Sequence, residues 1–192
     1  YFEQAVLVRT QFRIGQAARS KIARLQAAIE DDKVFDFQHM LAMSPREWSS
    51  RVTGGDERAI TMYDQAWSMV HFLIHARNGR YAAMLEDYLK ALAQGLNQDQ
   101  AFRRAFETDD IDSFQTAWKE YVAALEPDPL STVVENLELL TPMIAELHSR
   151  GLRPTTVDQL RAALADSDIA IRRYDAGIIR QVLADDPALF DI

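Results

Sequence analysis

The stretch that decides the fold is "TMYDQAWSMVHFLIHARNGRYAAMLEDYLKALAQG", residues 61–95. Its apolar residues recur at intervals of three and four, which is the spacing of amphipathic helices. Asn78-Gly79 predicts the end of a first helix, because both residue types accept the left-handed backbone that a helix end requires. A second helix is predicted to end at Gly95. Its apolar stripe comprises Tyr81, Met84, Leu85, Tyr88, Leu89 and Leu92.

The same spacing extends in both directions from this pair of helices. Before them, it predicts one helix over the opening dozen residues and another over residues 16–31. Within residues 35–52 it predicts two short helices, separated at Ser44-Pro45. Further helices are expected near 99–107, 110–125, 131–150 and 155–167, the last opened by a capping pattern of Thr155 and Asp158. The tail from residue 169 alternates in part like a strand, and its type stays open. We therefore predict an all-α fold, a compact multi-helix domain of roughly eight helices.

One segment indicates a boundary within the chain. "EPDPLS", residues 126–131, contains two prolines beside acidic residues, which favour extended backbone. We expect one helical subdomain over residues 1–125 and an appended C-terminal helical segment over residues 130–192. The appended segment is a candidate surface for a protein partner.

The composition limits the classes of protein to which the chain can belong. Hydrophobic residues make up 48% and charged residues 26% of the 192, as in ordinary globular proteins. Because 29 acidic residues outnumber 21 basic ones, the net charge is -8, and we expect no nucleic-acid partner. Cysteine is absent, which excludes disulfides, thiolate metal ligands and a cysteine nucleophile. No apolar run approaches the ~20 residues that a membrane span needs, so none is predicted.

His71 and His75 have the spacing of a zinc-binding pair. Residues at i and i+4 share one helix face and could bind the same ion. A metallopeptidase helix, however, has glutamate directly after the first histidine, and here that position is Phe72. Only His39 and His148 remain as further histidines. We therefore interpret the pair as part of a packed helix and predict no metal ligand in this chain.

Tyr63 is a candidate catalytic residue. Thr61 and Asp64 could form a capping box, which would place Tyr63 in the first helical turn. A phenol there can project into a cleft and donate a hydrogen bond to the oxyanion of a tetrahedral intermediate. The alternative is that Tyr63 is a packing residue, which is the usual role of an aromatic at a helix start.

Several patterns together resemble a known family. They are Tyr-Asp-Gln-Ala followed by Phe-Leu, Gly-Arg-Tyr followed by Leu and Tyr-Leu, Ala-Phe-x-x-Ala-Phe, and a last helix with Trp118 and Tyr121. Over roughly residues 1–125 the chain resembles the C-terminal helical part of gluzincin zinc metallopeptidases, and more narrowly the bacterial peptidase-MA-like proteins. Tyr1-Phe2-Glu3 matches the end of the family string that carries the third zinc ligand. Glu3 itself is interpreted as a charge on a helix face.

The resemblance implies a function for the parent protein. It places the family's oxyanion-binding tyrosine at Tyr63, and it implies zinc as cofactor, a peptide or protein substrate, and export from a bacterial cell. The HExxH helix and the glutamate ligand are not in this sequence, which also opens without Met. We therefore expect a C-terminal fragment of a zinc metallopeptidase that is not catalytic on its own. The alternative is a non-catalytic helical module that binds a protein partner.

Overall fold

The structure, a computed structural model, describes residues 6–8, 11–13, 15–54, 56, 58–107, 110–175, 178–183 and 187–190. It is predominantly helical, which confirms the predicted all-α class, and it adds two short antiparallel hairpins to the helices. The α-helices of this part are α1 (Arg19–Glu30), α2 (Phe37–Ala42), α3 (Pro45–Thr53), α4 (Ala59–His75), α5 (Ala82–Ala93), α6 (Gln98–Phe106), α7 (Ile111–Ala123), α8 (Pro129–Ser149) and α9 (Val157–Ala165). The strands are β1 (Val6–Val8), β2 (Gln11–Arg13), β3 (Ala170–Asp175) and β4 (Ile178–Leu183), and 3-10 turns cover Ala76–Gly79 and Pro187–Phe190.

Local caps account for most of the helix boundaries. Ser44 accepts a hydrogen bond from the backbone N–H of Glu47, and proline follows it at the first position of α3, as predicted. Asn97 and Gln100 form a capping box at the start of α6. Gly95, at φ 86°, follows α5 in the left-handed conformation expected of a helix stop.

Two of the sequence-based expectations about the helices are wrong in detail. The cap of α9 is Thr156, whose hydroxyl accepts from the N–H of Gln159, while the Gln159 side chain accepts from Thr155. The cap therefore lies one residue later than the predicted Thr155. On α5, Leu89 is 56% exposed and does not belong to the buried stripe. The buried residues of this helix are Tyr88 and Ala91, which lie on another face.

The helix predicted over the opening dozen residues is also wrong where the structure describes that segment. β1 and β2 pair antiparallel, with Val6 opposite Arg13 and Val8 opposite Gln11. Valine is β-branched and favours extended backbone, and two residues between the paired ends suffice for a hairpin connection. At the other end, β3 and β4 also pair antiparallel, so the undecided tail contains a hairpin with Ala170 opposite Leu183.

The chain divides into two compact units. The first comprises residues 1–16 and 20–126, and the second residues 17–19 and 127–192. Within the second unit, the N–H of Asp128 donates to the carbonyl of Ala17 at 2.9 Å, and the Asp128 side chain caps α8. Each unit has its own hydrophobic cluster.

The core of the first unit is built on α4 and α7. Trp118 is fully buried, and its indole N–H donates to the hydroxyl of Ser68 at 2.9 Å. The Gln65 side chain, also fully buried, accepts from the N–H of Phe35 at 2.8 Å and donates to the carbonyl of Phe35 at 2.6 Å. These bonds satisfy polar groups that would otherwise be costly to bury, and they fix α4 and its neighbours in one register.

The core of the second unit lies along α8. Leu140, Met143 and Leu147 repeat at intervals of three and four residues on one buried face. Leu164 of α9, together with Ile169 and Leu189, completes the cluster. Among the described residues, no helix combines the length and the hydrophobicity that crossing a bilayer requires.

Candidate functional site

Tyr63 lies on α4, but later along the helix than predicted. The helix begins at Ala59, so Tyr63 is its fifth residue and stands in the second turn. The predicted capping box of Thr61 and Asp64 does not form, because both residues are inside the helix. Asp64 instead receives two hydrogen bonds from the guanidinium of Arg24, at 2.8 and 3.2 Å.

The Tyr63 side chain is half-buried and held by one aromatic neighbour. Its ring meets the ring of Trp48 on α3 edge-on, with 4.9 Å between centroids and 80° between planes. Such edge-to-face pairs add about 0.5–1.5 kcal/mol beyond the area they bury. Within the described part of the chain, the Tyr63 hydroxyl makes no hydrogen bond. The ring is thus positioned while its donor stays available.

Two arginines lie against the Phe35 ring, one on α3 and one directly before α4. Arg58 precedes the helix without a side-chain cap, and its guanidinium lies 4.1 Å from the centroid of the Phe35 ring. The backbone N–H of Arg58 donates to Asp56, which is the main reason why the pKa of Asp56 is lowered. Arg51 pairs with Asp56 at 3.0 Å and also lies against Phe35. Both guanidinium groups thus lie against Phe35, and that of Arg51 is also paired with carboxylates.

His71 and His75 lie together on α4, as their spacing predicted. The two rings have centroids 4.4 Å apart. The Nδ1 atom of His71 shares a hydrogen bond of 2.7 Å with the hydroxyl of Tyr121, and the backbone of Gly15 also bonds the His71 ring. Both contacts occupy the ring in ways that compete with a metal ion. In the described residues, no three or more His, Cys, Asp or Glu side chains could share one.

The environment of His71 fixes its charge state. The pKa of His71 is lowered to about 4, mainly by burial and in part by the charge of His75, while the hydrogen bond to the Gly15 backbone opposes the shift. His71 is therefore neutral at pH 7. A neutral imidazole that donates to Gly15 leaves Nδ1 as the acceptor of the Tyr121 hydroxyl proton.

Tyr63 and the two histidines belong to one stripe of rings along α4. Tyr63, Trp67, His71 and His75 follow each other at intervals of four residues, which brings them to one side of the helix. The ammonium of Lys21 lies 5.0 Å from the centroid of the Trp67 ring. The indole N–H of Trp67 is buried, and no described residue accepts a hydrogen bond from it. The stripe thus places a phenol, an indole and two imidazoles along one side of α4.

The remaining candidates have structural roles or lie outside the described residues. His39 stacks on Phe35 and pairs with Glu47 at 3.3 Å, while His148 is exposed near the end of α8. Asp110 caps α7 by accepting a hydrogen bond from the N–H of Ser113. Glu3 and the rest of residues 1–5, on which part of the family resemblance rests, are outside the described residues.

Two residues at this site were not singled out from the sequence. Trp48 lies on α3, and nothing local in that helix indicates that its ring meets Tyr63 on α4. Arg58 is a poor N-cap residue and so gives no signal for the start of α4. Comparisons with profiles of protein families, with curated proteins and with solved structures find no match.

Proposed function

We propose that this chain is the C-terminal helical part of a zinc-dependent peptidase, in which it forms one wall of the substrate cleft. Tyr63 would donate a hydrogen bond to the oxyanion that develops when a peptide bond is attacked. The observation that supports this role is the half-exposed Tyr63 ring, held edge-on by Trp48 with its hydroxyl unused by the described residues. A donor that is fixed in advance stabilises a developing charge without having to break a bond first.

The zinc ion belongs to another part of the parent protein in this proposal. The described residues do not fit a zinc site, because they offer no group of three suitable ligands and His71 is engaged by Tyr121. When bound, zinc supplies an activated water and polarises the substrate carbonyl. What this chain contributes is the Tyr63 ring, positioned by Trp48.

The test uses the protein extended upstream of Tyr1. We expect zinc to be found by mass spectrometry in stoichiometric amount and peptide hydrolysis to be measurable. Tyr63→Phe should lower kcat by about 10²- to 10³-fold, the usual effect of losing one oxyanion donor, with KM and zinc content little changed.

The matched control is Tyr121→Phe, which removes a hydroxyl engaged by His71 and should leave kcat much closer to that of the unaltered protein. An extended protein that has no HExxH sequence and binds no zinc would refute the proposal as a whole. A zinc-binding, active protein in which Tyr63→Phe keeps full kcat would refute only the role of Tyr63.

The alternative is a module that binds a protein partner. One observation favours it: large apolar side chains are exposed on the second unit, namely Leu137, Leu152 and Val157, each about half accessible (50%, 47% and 49%). The simplest partner to test is a second copy of the chain. Sedimentation should then show a dimer that Leu152→Glu disrupts, whereas a monomer at every concentration would contradict self-association.

A further inference from the structure

The turn between α4 and α5 has an uncommon backbone. Arg77, Asn78 and Gly79 follow one another with φ of 49°, 58° and 77°, all in the left-handed region. Few residues other than glycine and asparagine adopt this conformation without cost. Arg77 and Asn78 thus depart from helical geometry within the 3-10 turn that connects α4 to α5.

Asn78 is the one asparagine of the sequence that is followed by glycine. Its side chain is exposed and makes no hydrogen bond within the described part of the chain. The other two asparagines differ in both respects. Asn97 is followed by Gln98 and its side chain caps α6, while Asn136 is buried inside α8 and followed by Leu137.

We propose that Asn78-Gly79 is a site of spontaneous deamidation in the folded protein. The backbone nitrogen of Gly79 loses its proton and attacks Cγ of the Asn78 side chain. A bond forms between these two atoms, the C–N bond of the side-chain amide breaks, and ammonia leaves with the proton it needs. Water then opens the five-membered succinimide at one of its two carbonyls, which gives aspartate or isoaspartate at position 78.

The space at Gly79 and the exposure of Asn78 support this reaction. Gly79 has no side chain to obstruct the approach of its nitrogen to Cγ, and its position has room, since an added Cβ would meet only the carbonyl oxygen of Ile74 at 3.5 Å. The free Asn78 amide can rotate toward that nitrogen, and water reaches the exposed turn. The Asn97 side chain, in contrast, would first have to give up its capping bond with the N–H of Gln100.

The product would change both charge and backbone at this turn. Each conversion adds one negative charge between Arg77 and Arg80, in a chain that already carries a net charge of -8. The isoaspartate form also routes the main chain through the former side chain, which lengthens the connection between α4 and α5 by one carbon. The inference does not depend on the proposed peptidase function.

The experiment follows the folded protein over time at neutral and at mildly alkaline pH. Digestion after glutamate under acidic conditions, where the reaction is slow, releases residues 58–86, which contain Asn78 as their one asparagine. We expect the mass change of amide to acid in this peptide, faster at the higher pH, with methylation by an isoaspartyl methyltransferase reporting the isoaspartate form. Asn97 and Asn136 should remain unchanged in the same samples.

Two controls separate the turn from general instability. Asn78→Gln keeps an amide but needs a larger ring to react, so its peptide should stay unmodified over the same period. A synthetic peptide of residues 75–82 gives the rate without the fold. If this peptide converts while the folded protein keeps its amide, the left-handed turn protects Asn78 and the proposal is wrong.

Discussion

At the scale of single residues, His71 illustrates how burial determines protonation. In the unfolded chain the His71 imidazole has its ordinary pKa of 6.5, whereas in the folded chain its pKa is about 4. Between these values the unfolded state binds more protons, so the free energy of unfolding falls as pH decreases through this range. Above it, both states carry neutral imidazole and His71 contributes no pH dependence.

This difference predicts a measurable slope. Between pH 7 and pH 5 the unaltered protein should lose about 2 kcal/mol more stability than His71→Asn, since each unit of pKa difference corresponds to about 1.4 kcal/mol. Urea unfolding at the two pH values measures it. His148→Asn, at an exposed position, is the matched control and should keep the full slope. Equal slopes in His71→Asn and the unaltered protein would show that His71 does not titrate as its burial implies.

The residue scale is also where sequence reasoning about the site reached its limit. It placed His71 and His75 on one face of a helix, and the two imidazole rings do lie together. It did not predict that Trp48 orients Tyr63, or that Tyr121 engages His71. Both contacts join residues from different helices, and helical spacing carries no information about which side chains from distant parts of the chain meet.

At the scale of elements, Gln65 connects a helix to a loop. Its amide bonds both backbone groups of Phe35 in the segment between α1 and α2, with all partners buried. We expect Gln65→Leu to lower the free energy of unfolding by about 3 kcal/mol, because it leaves a buried N–H and a buried carbonyl without partners. Chemical denaturation followed by circular dichroism provides the measurement.

A surface glutamine serves as the control for this prediction. Gln94 is exposed and accepts one hydrogen bond from Arg104, so Gln94→Leu should change stability by less than about 0.5 kcal/mol. The difference in stability loss between Gln65→Leu and Gln94→Leu is the quantity that tests the prediction. Similar losses in the two variants would mean that the Phe35 bonds are no stronger than a solvent-exposed contact.

The elements differ in how far the sequence predicts them. Where a boundary depends on local chemistry, as at Ser44-Pro45 or Gly95, prediction and structure agree. The start of α4 was misplaced because Asp64 looked like a capping residue but pairs with Arg24, 40 positions away. The opening segment was predicted as a helix because its apolar spacing fits either type over so few residues, and pairing between β1 and β2 decided the outcome.

At the scale of the whole molecule, the two hydrophobic clusters imply two units of separate stability. Among the described residues of the second unit, six buried apolar side chains form its cluster, and Leu147 is fully buried among them. Truncation of such a residue costs about 2–5 kcal/mol, through lost burial and the cavity left behind. In a small core this is a large share of the total.

Leu147→Ala should therefore weaken the second unit and leave the first largely intact. Hydrogen exchange followed by mass spectrometry should show faster exchange in peptides from residues 127–171, while peptides from residues 20–126 keep their protection. Leu152→Ala, at a side chain that is 47% exposed, should change neither set. Val122→Ala, in the core of the first unit, should produce the converse pattern. If either core variant causes loss of protection in both units, the two units unfold cooperatively. The prediction that each unit has its own stability would then be wrong.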